Sequence, residues 1–175
     1  MITRRLLLAM AAVATLSACA APLVDKGDAA EFRVAAVTVD ASAVDGVIGR
    51  QFDVGSAQIA SDVKKAVEQE LASTSTGTRP VNVSIAVQEV FLANVATIAV
   101  GAQSKIKSVV SVTDATTGAV IIKPIEVEGV SLETLQLGGL VGAAIKAGTT
   151  AEEDYRATVS RYAVTLRTRL LGDET

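Results

Sequence analysis

Apolar residues recur along this chain in two rhythms, one of four residues and one of two. Between Ser56 and Ser73, Ile59, Val63, Val67 and Leu71 recur every fourth position, with Asp62, Lys64, Lys65 and Glu68 largely off that stripe. This is the mark of a one-sided helix. Between Thr150 and Gly172, Tyr155, Val159, Tyr162, Leu166 and Leu170 repeat the pattern. Thr150-Ala151-Glu152-Glu153 reads as a capping box. The acids at 152–154 and the arginines at 167 and 169 complement the helix dipole, and Gly172 is placed to end the helix.

The two-residue rhythm marks strands. Phe32 to Asp40 reads as the first. Val81, Val83, Ile85 and Val87 then alternate with Asn82, Ser84, Ala86 and Gln88, as in a strand with one buried face. The alternation slips at Glu89-Val90-Phe91, as a bulge or strand end would make it. Lys105 to Asp114 alternates again, with Ile106, Val110 and Val112 on one face and Lys105 and Lys107 on the other. Asp114 to Gly118 is a turn, and Ala119 to Val130 is the return strand. Pro124 predicts an edge position or a break there, because proline has no donor for a ladder. Ala41 to Gly55 fits neither rhythm, and Ser73 to Pro80 is a loop. The expected fold is α+β: two helices packed on one face of a mostly antiparallel sheet of about four strands, the other face partly wet.

The first nineteen residues follow a different rule. Arg4 and Arg5 precede an apolar run of eleven residues, Leu6 to Leu16. A bilayer-spanning helix needs about 20, so this run reads as a secretory signal peptide. Its end, Leu16-Ser17-Ala18-Cys19, is an aliphatic residue, two small residues and cysteine. It resembles the lipobox of bacterial lipoproteins. The resemblance implies lipid attachment to the Cys19 thiol, cleavage between Ala18 and Cys19, and acylation of the new amine. Several acyl chains anchor a protein far more firmly than one. Thr3-Arg4-Arg5-Leu6-Leu7-Leu8 loosely resembles a twin-arginine signal, but general secretion is favoured because paired arginines are common in such leaders. Residues 1–18 are thus expected to be the signal peptide, 19–31 a lipidated tether, and 32–175 a single periplasmic domain. Ala20 stands where an aspartate would retain a lipoprotein in the inner membrane of enteric bacteria. The expected location is therefore the outer membrane, on its periplasmic face.

Composition narrows the chemistry. The 175 residues carry a net charge of −3, no histidine and one cysteine. Removal of the first 18 leaves 157 residues and a charge of −5, since Arg4 and Arg5 leave with them. The folded body then has no thiol, which suits an oxidising compartment. No metal or other cofactor is expected, and an acidic surface is a poor nucleic-acid binder. The usual general base and thiol nucleophile are missing, so no catalytic residues are assigned. Neighbouring strand residues point to opposite faces, so neither Ser104-Lys105 nor Lys107-Ser108 can form a dyad. Glu126 and Glu128 share a strand face about 7 Å apart. They read as part of a wet surface, because no aromatic residue is placed to stack a sugar. The loop from Asp114 to Gly118 has too few oxygens for calcium. Gly138 to Gly142 lacks the Gly-Lys-Ser/Thr that a phosphate loop requires. Arg156, Arg161, Arg167 and Arg169 do not form one stripe.

Two uncharged stretches remain, Val90 to Ser104 and Thr134 to Ile145. Burial in the core is the first expectation for both. The alternative is an apolar interaction surface, with Leu137, Leu140, Val141 and Ile145 as its members.

The order strand, helix, strands, helix resembles small bacterial envelope lipoproteins of the lipopolysaccharide-assembly and lipid-transport ABC-auxiliary kinds. That resemblance implies an adaptor domain with a protein partner or a lipid ligand. The expected function is a non-enzymatic outer-membrane lipoprotein, held in the membrane by acyl chains and serving as accessory subunit to an envelope protein partner. A lipid- or small-ligand-binding lipoprotein is the second reading, and a hydrolase the third.

Overall fold

The computed structural model describes residues 22–131, 144 and 147–172. Within them the chain runs α1 (Lys26–Ala30), β1 (Phe32–Asp40), β2 (Ile48–Gly49), α2 (Ser56–Ala72), β3 (Arg79–Leu92), α3 (Val95–Ala99), β4 (Lys105–Asp114), β5 (Val120–Val130) and α4 (Ala151–Leu171). The sheet order is β1-β3-β4-β5, and the two-residue β2 pairs with the far end of β3 at Phe91 and Leu92. The α+β class is as expected, with four helices and a five-stranded sheet among the described residues.

The sheet is mixed rather than mostly antiparallel, because β1 and β2 lie parallel to β3 while β3–β4 and β4–β5 are antiparallel. The reason is the connection. Two parallel neighbours need a crossover of a dozen or more residues, and the helix α2 is that crossover. The short elements α1, β2 and α3 were not expected, since two to five residues give periodicity nothing to repeat.

Both long helices lie on one face of the sheet, against each other. On α2 the stripe Ile59, Val63, Val67 and Leu71 is at most 1% exposed. On α4, Tyr155, Val159, Tyr162, Leu166 and Leu170 are all buried. The inward faces of β3 and β4 meet them with Val81, Val83, Ile85, Val87, Ile106, Val110 and Val112. Each such side chain contributes about 1.5–3 kcal/mol by leaving water. The cap of α4 forms as the sequence requires: Thr150 Oγ1 accepts from the Glu153 amide at 3.2 Å, and Glu153 Oε2 accepts from the Thr150 amide at 2.8 Å. Gly172 closes it at φ +84°, a conformation other residues rarely adopt.

One contact fixes how closely α4 approaches the sheet. Gly129 of β5 lies directly beneath Tyr162, and a Cβ there would fall 2.6 Å from the Tyr162 Cα. The missing side chain lets Tyr162 lie down on the sheet, where its hydroxyl meets Ser108 Oγ at 2.5 Å.

The β3–β4 register slips between Val87 and Glu89, where the alternation breaks. Pro124 sits on β5, an edge strand whose register slips between Ile125 and Ile122. An edge that bears a proline and a bulge resists pairing with another chain. At the other edge, the α2–β3 loop serves β1. Ser75 Oγ accepts from the Val34 amide at 3.3 Å, and the Gly77 amide donates to the Phe32 carbonyl at 3.0 Å.

The segment before β1, expected to be a tether, is packed from Leu23 onward. Leu23 and Val24 lie against the core, Ala29 is buried, and the Leu23 amide donates to the Arg169 carbonyl at 2.8 Å. The body is thus tied down at the last turn of α4.

Candidate functional site

Packing two helices side by side leaves a groove wherever the residues between their buried stripes are too short to meet. Gln58, Asp62, Lys65 and Gln69 form a polar ridge on α2, stepping by four, three and four. On α4 the facing positions are Glu152, Tyr155, Arg156, Val159, Ser160 and Ala163. Between the ridges runs a groove of about 590 Å³, bordered also by Phe52, Asp53 and Val54 of the β2–α2 connection. Small residues, Ala66 and Ala163, leave the space.

Its apolar part is Phe52, Tyr155, Val159 and the two alanines. The Phe52 and Tyr155 rings meet at 5.2 Å between centroids, tilted by 40°. Tyr155 Oη donates to Asp62 Oδ2 at 3.1 Å, and Gln58 Nε2 donates to Asp62 Oδ1 at 2.7 Å. Both oxygens of Asp62 are therefore engaged. Glu152 pairs with Arg156 along α4, and Glu70 meets Arg167 at 3.5 Å. The groove is open and mixed in polarity, a form that suits recognition by contact more than enclosure of an apolar ligand.

Burial, then the Asp62 carboxylate, pushes the Tyr155 phenol far up, and burial does the same to Tyr162. These are the chain's two tyrosines. Each binds its proton more tightly folded than unfolded, so stability falls once pH rises above the ordinary tyrosine value of 10.0. An alkaline ultraviolet titration should therefore show no phenolate until the chain unfolds, and then both tyrosines together. A gradual phenolate signal from folded protein near pH 10 would contradict this burial.

Cys19 and Ala18 lie outside the described residues, as do Leu137, Leu140, Val141 and Ile145. The other sequence candidates have structural partners. Glu126 and Glu128 share the outer sheet face. Glu128 meets Lys105 at 3.4 Å and Lys107 at 3.6 Å, and Lys105 also meets Glu89 at 3.8 Å. Ser104 is buried, accepts from the Ala93 amide at 3.0 Å and donates to Asp154 at 3.0 Å, turned away from Lys105. Ser108 is likewise inside and Lys107 outside. Asp114 organises the hairpin: Oδ1 accepts from the Thr116 and Thr117 amides at 3.0 and 2.9 Å, and Oδ2 from Arg79 at 3.1 Å. The turn amide of Thr117 and the Arg79 guanidinium together hold that carboxyl down at about 2. Among the described residues no group of three or more His, Cys, Asp or Glu side chains gathers as a metal site.

The stretch Val90 to Ser104 divides. Val90, Leu92, Ala93 and Ile98 are buried, whereas Val95 and Val100 are 46% and 84% exposed. The groove itself was not foreseen from the sequence. Its only signal was the polar ridge of α2, and Phe52 lay in the segment that fitted no rhythm.

No protein-family description matches the chain, and no curated protein does. Three solved structures follow a similar course. A candidate lipoprotein from Caulobacter crescentus CB15 is 9% identical, with 84% of this chain and 96% of that one covered, at a TM-score of 0.37. A DUF330 protein from Xanthomonas campestris is 12% identical over 85% and 84%, at 0.42. A dodecameric PelC variant from Paraburkholderia phytofirmans is 12% identical over 83% and 91%, at 0.40.

Proposed function

We propose that this chain is a bacterial lipoprotein, anchored by acyl chains on Cys19 to the periplasmic leaflet of the outer membrane. Its α+β domain acts without catalysis as an accessory or assembly subunit of an envelope complex. The observation that carries the reading is the place where the body begins. Leu23 is already docked on α4, four residues after the lipobox cysteine. A domain so tied is held close to the lipid surface, where a membrane-embedded partner would meet it. A non-catalytic role is supported by the use of the ionisable groups: Asp62, Asp114, Glu128 and Glu153 each hold a helix, a turn or the sheet together.

A second reading, a lipid- or small-ligand-binding lipoprotein, is favoured by the α2/α4 groove with its Phe52–Tyr155 pair. Native electrophoresis of membranes solubilised in mild detergent separates the two. An accessory subunit should migrate in a discrete assembly well above its own 17.9 kDa. A chain that runs as a monomer carrying extractable lipid would support the second reading and sink the first.

A further inference from the structure

The end of the molecule remote from its anchor is apolar, and it is held that way by built contacts. The short helix α3 has reciprocal caps. Asn94 Oδ1 accepts from the Thr97 amide and Thr97 Oγ1 from the Asn94 amide, both at 2.9 Å. Ile98 turns inward to a small satellite core with Ala93 and Phe91. Asn94 Nδ2 reaches the Gly49 carbonyl at 3.3 Å and ties β2 alongside. Five residues would not hold a helix alone. Fixed in this way, α3 presents Val95 and the following Val100 to solvent, with Ile48 of β2 58% exposed beside them. Ala96 and Ala99 are exposed between the valines. No charge occurs from Val90 to Ser104 or from Gly46 to Gly49. Singly exposed apolar residues are ordinary, but a fixed group of them without a charge marks a contact surface.

Where that surface points follows from chain length, and this step rests on the anchor proposed at Cys19. Leu23 docks at the end of α4 that lies by α1 and the start of β1. The four residues from Cys19 to Leu23 span at most about 14 Å. The apolar tip lies at the opposite end of β3, which has fourteen residues and so extends about 45 Å. The anchoring bilayer is therefore out of reach of Ile48, Val95 and Val100. A second copy standing in the same leaflet would point its tip the same way, so two tips could not meet. We infer that the tip formed by Ile48, Val95 and Val100 is the docking surface for a different envelope protein, one that offers an uncharged apolar patch beyond the lipid surface.

The test has two arms, both on the full chain. In the first, Gly27→Cys and Val100→Cys variants carry a fluorophore and are reconstituted into phosphatidylcholine–phosphatidylglycerol vesicles with a headgroup nitroxide quencher. Both sites are exposed, so neither label disturbs the core. The label at 27 should be quenched and the label at 100 should not. Equal quenching would overturn the tip assignment alone. No quenching at 27 would overturn the anchor reading, and the tip proposal with it. In the second arm a photo-crosslinker replaces Val100 in the producing cells. The expected product is one discrete adduct with another protein, reduced about tenfold by Val95→Asp, which puts an unpaired charge into the contact. An adduct with a second copy, an adduct with lipid only, an adduct indifferent to Val95→Asp, or no adduct would each overturn the proposal.

Discussion

Gly129→Ala should destabilise the fold at the upper end of about 1–3 kcal/mol, the usual cost of forcing extra volume into a packed core. The backbone at Gly129 is not among the left-handed glycine conformations, so alanine meets no torsional obstacle there. The clash alone decides the outcome. The added Cβ would lie 2.6 Å from the Tyr162 Cα and 2.9 Å from its Cβ. Those atoms belong to a helix backbone and cannot swing aside as the end of a side chain could. Relief requires α4 to lift from β5, which would stretch the buried Ser108–Tyr162 contact and loosen Leu166 and Leu170 beside it. Against this, alanine restricts the unfolded chain, an offset of about 0.4–1 kcal/mol. Gly27→Ala isolates that offset. Gly27 lies within α1 with nothing within 4 Å of a new Cβ, so this variant should be neutral or slightly more stable. Urea unfolding of the two variants against the parent checks both signs. If Gly129→Ala and Gly27→Ala behaved alike, the close approach of α4 to the sheet would be wrong.

The two long helices and the strands β3 and β4 were legible because each buries one face, and burial writes a period into the sequence. Even the defects were legible: the slip after Val87 and the break at Pro124 each appear as a fault in that period. The partner of a strand is another matter. Nothing in Phe32–Asp40 says which neighbour it takes or in which direction, because a strand pointing either way buries the same alternate side chains. The order β1-α2-β3 did contain the answer, since a helix that returns the chain to the same end makes parallel neighbours. The groove was illegible for a related reason. Asp62 and Tyr155 are 93 residues apart, and each looks like an ordinary helix position until the helices are laid together. The glycine at 129 looked like part of a strand, and only the ring above it gives it meaning.

Cys19→Ser should move the protein out of the membrane-anchored state without altering its body. The thiolate is the group that takes the lipid, and a serine hydroxyl is a far poorer nucleophile at the same pH. Each buried methylene of an acyl chain contributes about 0.8 kcal/mol. One chain gives only marginal binding, and several give a stable anchor. The loss should therefore be nearly complete rather than graded. Mass spectrometry of the N-terminal peptide supplies the direct measure. The parent should begin at Cys19 and carry the mass of its acyl chains, whereas the variant should carry none and keep its leader. A variant still cut after Ala18, or a parent whose Cys19 is unmodified, would remove the lipobox reading. The body should be indifferent, because Leu23 and α1 dock through their own contacts with α4 and no described contact depends on residue 19. The variant's circular dichroism and urea midpoint should match the parent's. Loss of the anchor with an intact fold would place the role of Cys19 in location alone. If unfolding came with it, the first residues after the lipobox would be part of the core rather than the start of the tie to the membrane.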